Sequence, residues 1–509
     1  MMAVDVWRQG AVGFVRLNNP PVNAIGLSVR QGLWDALAWV QAQKGLSRVV
    51  LHGSQRAFAA GADAREFDAP PVAPHLPEIL HGIEASDVPW VAAITGVALG
   101  GGCELALACR YRIAAPGIRI GLPEVTLGVV PGAGGTQRMP RLIGIAAAVD
   151  LIATGKPLTA EQAEALGLVD GIAEDPVDVA QHLDIGALEL SLPPGLRDRP
   201  AADDTAIAAA RADVTQRMPH QIAPPRAIDL VALSATTPLS DAMAQERAAF
   251  LDLRQGAQAR ALRHIFFTER AVRGQDAPST SHIANRILAR YHEAADTVLM
   301  DGSTPWEVDE AMVEFGFTMG PYEAQDLTGV DTALANRREN APRDPNRRYI
   351  PIADRMLELG KLGKKVGAGW YRYPGGGGKV DDPIVADLAL EEAHFAGITR
   401  CDYSEEEIRD RLLCAMINEA VGLLDEGIAL SARSIDLVTV RSCGFPRWRG
   451  GLMFYADTIG AETILARLDT YANEDSLVWE PSPSLRCCVE NNFCLSDRFP
   501  TKLHLETHS

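Results

Sequence analysis

Between Val12 and about Glu174, short apolar runs alternate with amphipathic ones: "GFVRL" precedes "LSVRQGLWDALAWVQAQ", and "SRVVLHG" and "VPWVAAI" follow. Strand-like runs that alternate with helical periodicity predict an α/β domain in which strands feed loops and helices. From Thr159 to Arg273 the apolar spacing is mainly helical, interrupted by "SLPPGLRDRP" (Ser191 to Pro200) and "APPRA" (Ala223 to Ala227), since proline stops helices. This stretch reads as a helical extension and linker. "GQDAPSTS" (Gly274 to Ser281) reads as a polar junction, and beyond it the pattern is almost wholly helical.

The last third repeats itself weakly. "ANRILARYHEAADTVLMDG" matches "RDRLLCAMINEAVGLLDEG", placing Glu293 opposite Glu419 at a spacing of 126, and "GFTMGPYEAQD" matches "GFPRWRGGLMFYAD", placing Asp326 opposite Asp457 at 131. Two similar helical units joined by "YPGGGGKVDDP" are expected, packing against each other or a sister subunit.

At 509 residues the chain is long enough for two or more domains, each with a core. Its formal charge of -18 argues against nucleic acid or an anionic membrane as the main partner. Any anionic ligand needs a local site. Eight cysteines without a C-x-x-C pair suggest reduced thiols in a cytoplasmic protein, neither a disulfide framework nor a zinc site. The apolar run from Val88 to Cys103 falls short of the roughly 20 residues a membrane span needs, and reads as buried interior. His504 and His508 stand four apart in the tail, but without a third ligand no metal is assigned.

"ALGGGCELAL" (Ala98 to Leu107) places Glu104 in an apolar setting just after three glycines. The glycines follow a strand-like run and precede helix formers, so a helix begins near Gly101 and leaves its first N–H groups without partners. "AFAAGADAREF" (Ala57 to Phe67) supplies a second small-residue turn after a strand. One N–H from each turn can converge on a single carbonyl oxygen and stabilise an oxyanion. Glu124, in "GLPEVTLGVVPGAGGTQR", follows Glu104 by twenty residues. Two acids beside such a site suit general acid and base work; taken singly, either could be a helix-dipole partner or a turn residue. "PGAGGTQR" has neither the Walker nor the G-x-G-x-x-G spacing of a nucleotide loop.

Three segments, "AFAAGADAREF", "ITGVALGGGCELALAC" and "LPEVTLGVVPGAGGTQRMPRLIG", together resemble the signatures of the enoyl-CoA hydratase/isomerase (crotonase) family. "FLDLRQGAQARALRHIFFTERAV" and the C-terminal repeats resemble multifunctional fatty-acid β-oxidation enzymes that join a hydratase to a 3-hydroxyacyl-CoA dehydrogenase. The resemblance implies an α/β crotonase spiral of ββα repeats over residues 1–190 and an all-α extension over 191–283. It further implies all-α dehydrogenase C-terminal-type domains at 284–375 and 406–495, separated by a linker (376–405) and followed by a tail (496–509). Carried over residue by residue, Ala62 and Gly101 become the oxyanion-hole donors, Glu104 the activator of water and Glu124 the proton donor to C2. Ala62, Asp63, Ala64 and Arg65 then run beside the CoA moiety, and Gly132 helps orient the water.

One part of the multifunctional pattern is missing. A Rossmann domain that carries a catalytic His–Glu pair is expected between the "FFTERA" and "NRIL" helices, but only 13 residues separate Ala271 from Asn285. No strand leads into G-x-G-x-x-G with a later acid. His264 reads as structural, and Asn285 matches a substrate-contacting asparagine that has lost its cofactor. The expectation is an enoyl-CoA hydratase that binds no metal or NAD and does not oxidise its product. An enoyl-CoA isomerase that relies mainly on Glu124 is one alternative. The other is an acyl-CoA-binding scaffold that docks a separate dehydrogenase. A homodimer through the helical repeats is plausible, and acyl-chain identity is open.

Overall fold

A computed structural model of the chain describes residues 3–498, except 55, 185, 187, 189–190, 273–279 and 341–347. Most of the polar junction and the His504/His508 pair lie outside the described residues.

Strands β1 (Val4–Gln9), β2 (Val12–Leu17), β3 (Arg48–His52), β5 (Trp90–Ile94), β7 (Tyr111–Ala114) and β10 (Gly171–Ile172) form one sheet in the order β1-β2-β3-β5-β7-β10. Short strands β4 (Ala57–Ala59), β6 (Val97–Leu99), β8 (Arg119–Gly121) and β9 (Leu158–Thr159) form the second, in the order β4-β6-β8-β9. From β3 onward, successive strands of the first half alternate between the two sheets up to β8. Within these two sheets β1–β2 and β8–β9 pair antiparallel, and the other neighbours are parallel. The pairs β3/β4, β5/β6 and β7/β8 each lead into a helix, Leu76–Glu84, Gly101–Leu107 and Gly135–Thr154 respectively. This is the expected ββα spiral. β3 and β5 are buried along their whole length, which is why they read as continuous apolar runs rather than alternating ones.

The first compact unit runs from Met1 to Arg263. Its helices Asp204–Arg217, Ala223–Thr236 and Leu239–Gln255 contribute Val214, Ile228, Val231 and Phe250 to the same core as the strands. The last strand of the unit ends at Ile172, and its core continues through the helices that follow.

The second unit, His264–Ser509, is helical, and its internal repeat extends to individual hydrogen bonds. Asp309, in helix Pro305–Phe315, accepts from Tyr322 N (2.9 Å) and Glu323 N (2.8 Å) at the start of helix Pro321–Thr328. Asp436, in helix Ala432–Ser442, accepts from Met453 N (2.7 Å) and Phe454 N (3.1 Å) at the start of helix Leu452–Ile459. Asp326 accepts from Trp370 N and Tyr371 N, and its counterpart Asp457 from Leu495 N and Ser496 N. Arg290 bonds Glu293 in its own helix, Thr280–Asp301, and Glu419 in helix Glu405–Asp425. His264 Nε2 lies 2.7 Å from Asp436 Oδ2, whereas Tyr371 OH is the side-chain partner of Asp309. The histidine thus completes a helix-capping carboxylate, in keeping with its structural reading.

Candidate active site

The turn between β6 and helix Gly101–Leu107 requires its glycines. Gly100 adopts φ +53, and a Cβ on Gly102 would stand 2.1 Å from Ala59 O, so the helix starts hard against β4. Bulk at either position is excluded by backbone conformation or by backbone contact. The turn after β4 approaches from the other side: Ala62 N lies 3.5 Å from the point a Gly101 Cβ would occupy. Ala62 bridges Ile25, whose N–H and C=O engage Gly61 O and Asp63 N. Among the described residues, neither the Ala62 N–H nor the Gly101 N–H donates to another group. The two predicted oxyanion donors are therefore neighbours whose N–H groups are available to an acceptor.

Glu104 is 3% exposed. Its Oε1 accepts from Ala133 N (2.8 Å) and Gly135 N (2.9 Å), at the glycine-rich entry to helix Gly135–Thr154. Glu124 begins a short 3-10 turn, Glu124–Leu127. Its Oε1 stands 3.0 Å from where a Gly100 Cβ would be, a point only 3.6 Å from Gly61 Cα. Its Oε2 is buried without a partner. Both turns and both acids thus occupy one neighbourhood.

The two acids differ in electrostatic setting. Burial raises the pKa of Glu104, but the N–H groups of Ala133 and Gly135 oppose the rise by bonding its carboxylate. Burial lifts Glu124 well above the usual range, and the charge of Glu104 lifts it further. Donors favour the ionised form of the first acid, while a neighbouring charge disfavours that of the second. Glu104 is therefore the more readily ionised of the two, the inequality an acid–base pair needs.

The remaining predicted residues surround this centre. Asp63 caps the short turn Ala64–Glu66, and its carboxylate binds Arg65 through Nε (2.9 Å) and Nη2 (2.7 Å), which holds its pKa down. Arg65 is exposed and Ala64 buried. Gly132 packs on Phe250, whose ring lies 2.5 Å from where a Cβ would project.

Two supports escaped the sequence reading. Glu84 and Arg138 form a buried ion pair (2.7 Å), and Arg138 Nη1 also donates to Ala133 O. Glu246 lies in helix Leu239–Gln255 and is fully buried. It accepts from Gly134 N (2.5 Å), Thr136 N (2.8 Å) and Thr136 Oγ1 (2.5 Å). The available signal was a carboxylate flanked by Met243 and Phe250 on one helical stripe, a pattern that surface helices also show. Among the described residues no group of acids, histidines and cysteines has the arrangement of a metal site, and no helix is long and apolar enough to cross a membrane.

Residues 8–189 match the family described as enoyl-CoA hydratase/isomerase, and residues 282–373 and 408–497 match 3-hydroxyacyl-CoA dehydrogenase, C-terminal domain. A peroxisomal bifunctional enzyme from Danio rerio is 28% identical over 94% of this chain and 96% of its own. The Homo sapiens protein of the same name is 27% identical over 94% and 95%. The alignment with the Danio rerio protein runs over 696 residues, more than the 509 here, so that relative carries residues without a counterpart in this chain. An enoyl-CoA hydratase structure from Bacillus anthracis is 31% identical over 46% of this chain and 90% of that one, with a TM-score of 0.33. The relatives are named as peroxisomal, which lends no support to the cytoplasmic expectation.

Proposed function

We infer, for a chain that belongs to the enoyl-CoA hydratase/isomerase family and carries two 3-hydroxyacyl-CoA dehydrogenase C-terminal domains, that its first unit adds water to 2-enoyl-CoA thioesters. The observation that carries this reading is the asymmetry of two neighbouring acids: Glu104 is tied by two amides and Glu124 has an unpartnered buried oxygen.

In this mechanism the thioester oxygen accepts from Ala62 N–H and Gly101 N–H. Charge that develops there during attack is stabilised by dipoles already in place, with one such donor worth roughly 3 kcal/mol. The Glu104 carboxylate takes a proton from water, whose oxygen bonds C3 as the C2–C3 π pair moves toward the thioester. Glu124 delivers its proton to C2. The product is a 3-hydroxyacyl-CoA, and exchange with solvent restores the starting protonation of both acids. Asp63, Ala64 and Arg65 lie along the CoA moiety, with Arg65 held in place by Asp63, and the Gly132 backbone faces the water.

The dehydrogenase step is absent on this reading. A dinucleotide needs a parallel sheet with a glycine-rich βα turn; among the described residues the second unit has only the antiparallel pair Tyr371–Arg372 and Val380–Asp381. These residues do not fit NAD. A separate dehydrogenase would then consume the product. The free oxygen of Glu124 also favours a second reading, proton transfer between C4 and C2 of a 3-enoyl-CoA.

Loss of conjugated enoyl-thioester absorbance on adding purified protein, with the 3-hydroxyacyl product identified by mass, tests the assignment. If 3-enoyl thioesters turn over and 2-enoyl thioesters do not, the isomerase reading replaces it.

A further inference from the structure

Helix Leu239–Gln255 presents one face to the loop that orients Glu104. Met243, Glu246, Arg247 and Phe250 follow the i, i+3, i+4, i+7 spacing of a single stripe. Each meets the loop. Met243 Cε is 2.9 Å from where a Gly134 Cβ would be, Arg247 Nη1 donates to Gly132 O (3.4 Å), and the Phe250 ring packs on Gly132. Glu246 accepts from Gly134 and Thr136, the two amides that alternate with those held by Glu104. At the far end of the helix, Arg254 donates to the carbonyls of Glu66 (3.2 Å), Phe67 (3.0 Å) and Ala69, just after the Ala62–Arg65 turn. One helix of the extension therefore braces both catalytic loops.

We propose that Glu246 is a positioning residue for hydration: it anchors Gly134 and Thr136 so that the Ala133 and Gly135 amides stay aimed at Glu104. This rests on the hydratase reading. A fully buried acid with three donors on it cannot leave its place without stranding them, and the alternating pattern makes Glu104 and Glu246 depend on one backbone conformation. Glu246 faces Glu104 and Arg138, with Arg247 beside it on its own helix, and its charge also reaches Glu124. Any charge on Glu246 opposes ionisation of Glu124.

The test compares wild type, Glu246→Gln and the milder, volume-conserving Thr136→Val in full-length protein. In Glu246→Gln, kcat for hydration of a 2-enoyl-CoA falls about 10²-fold, as expected for misplacement of a catalytic group by an ångström, with KM little changed. The alkaline limb of its pH–kcat/KM profile moves to lower pH, and amide exchange across residues 131–139 quickens. Thr136→Val removes one donor to Glu246 and one acceptor of Gln137 Nε2, and gives a smaller loss of kcat with faster exchange in the same segment. Wild-type kcat and an unmoved alkaline limb in Glu246→Gln would overturn the proposal and leave the hydratase reading standing. A loss confined to KM would do the same. If the wild-type chain itself hydrates no enoyl-CoA, the hydratase reading falls and this role falls with it.

Discussion

Glu104 and Glu246 hold the same four residues of main chain, Glu104 through the amides of Ala133 and Gly135 and Glu246 through those of Gly134 and Thr136. Two like charges so close raise each other's cost of ionisation. The arrangement concentrates acid–base chemistry in an interior otherwise built from alanine, valine and leucine.

Replacement of the two proposed catalytic acids separates chemistry from binding. Glu104→Gln removes the base, and hydration is expected to fall about 10²- to 10⁴-fold. Glu124→Gln loses hydration to a similar extent and also abolishes any conversion of 3-enoyl to 2-enoyl thioester. Calorimetric binding of a saturated acyl-CoA stays within a few-fold of wild type in both. Undiminished hydration in either variant would show that the acid concerned is not part of the machinery.

Gly102→Ala places a methyl group 2.1 Å from Ala59 O, and backbone cannot yield as a flexible side chain does. The expected cost is at least about 1–3 kcal/mol, as for overpacking of a dense core, with loss of hydration because Gly101 moves with its neighbour. A melting temperature equal to that of wild type would contradict this geometry.

The Glu84–Arg138 pair supports Ala133 from beneath. Glu84→Gln leaves the buried guanidinium of Arg138 without its counter-charge, a change that costs about 3–5 kcal/mol. The double replacement Glu84→Leu/Arg138→Met removes both charges and loses less than the two single changes summed. A double-mutant cycle by denaturant unfolding measures this coupling, and strict additivity would refute it.

Glu246 gives stability a pH dependence of defined sign. Burial first, then the charge of Glu104, raises its pKa from 4.5 to about 8 in the folded chain. A raised acid favours folding while it is protonated, so its contribution is complete below about pH 4.5 and lost as pH rises through about 8. Melting temperature should fall more steeply from about pH 4.5 to about pH 8 in wild type than in Glu246→Gln. Parallel curves would show that Glu246 does not take up this proton.

With NAD and a 3-hydroxyacyl-CoA, the purified chain should produce no NADH absorbance. Addition of an unrelated 3-hydroxyacyl-CoA dehydrogenase should restore it, starting from the 2-enoyl thioester. NADH formation by the chain alone would overturn the reading that the dehydrogenase step is absent.

The alternation of strand and helix, the two glycine turns, and Glu104 and Glu124 as candidate acids were legible along the chain, because periodicity and steric demands on glycine act between residues close in sequence. The weak repeat of the last third was legible for the same reason, down to Asp326 and Asp457. The different settings of the two acids arise only on folding, since Ala133 and Gly135 aim their amides at Glu104 while Glu124 keeps an oxygen unpaired. Glu246, distant from Glu104 in the chain and indistinguishable there from a surface helical acid, joined the site only through packing. Burial and hydrogen-bond direction are properties of neighbours in space, and these shift a carboxylate's charge, whereas sequence spacing alone does not.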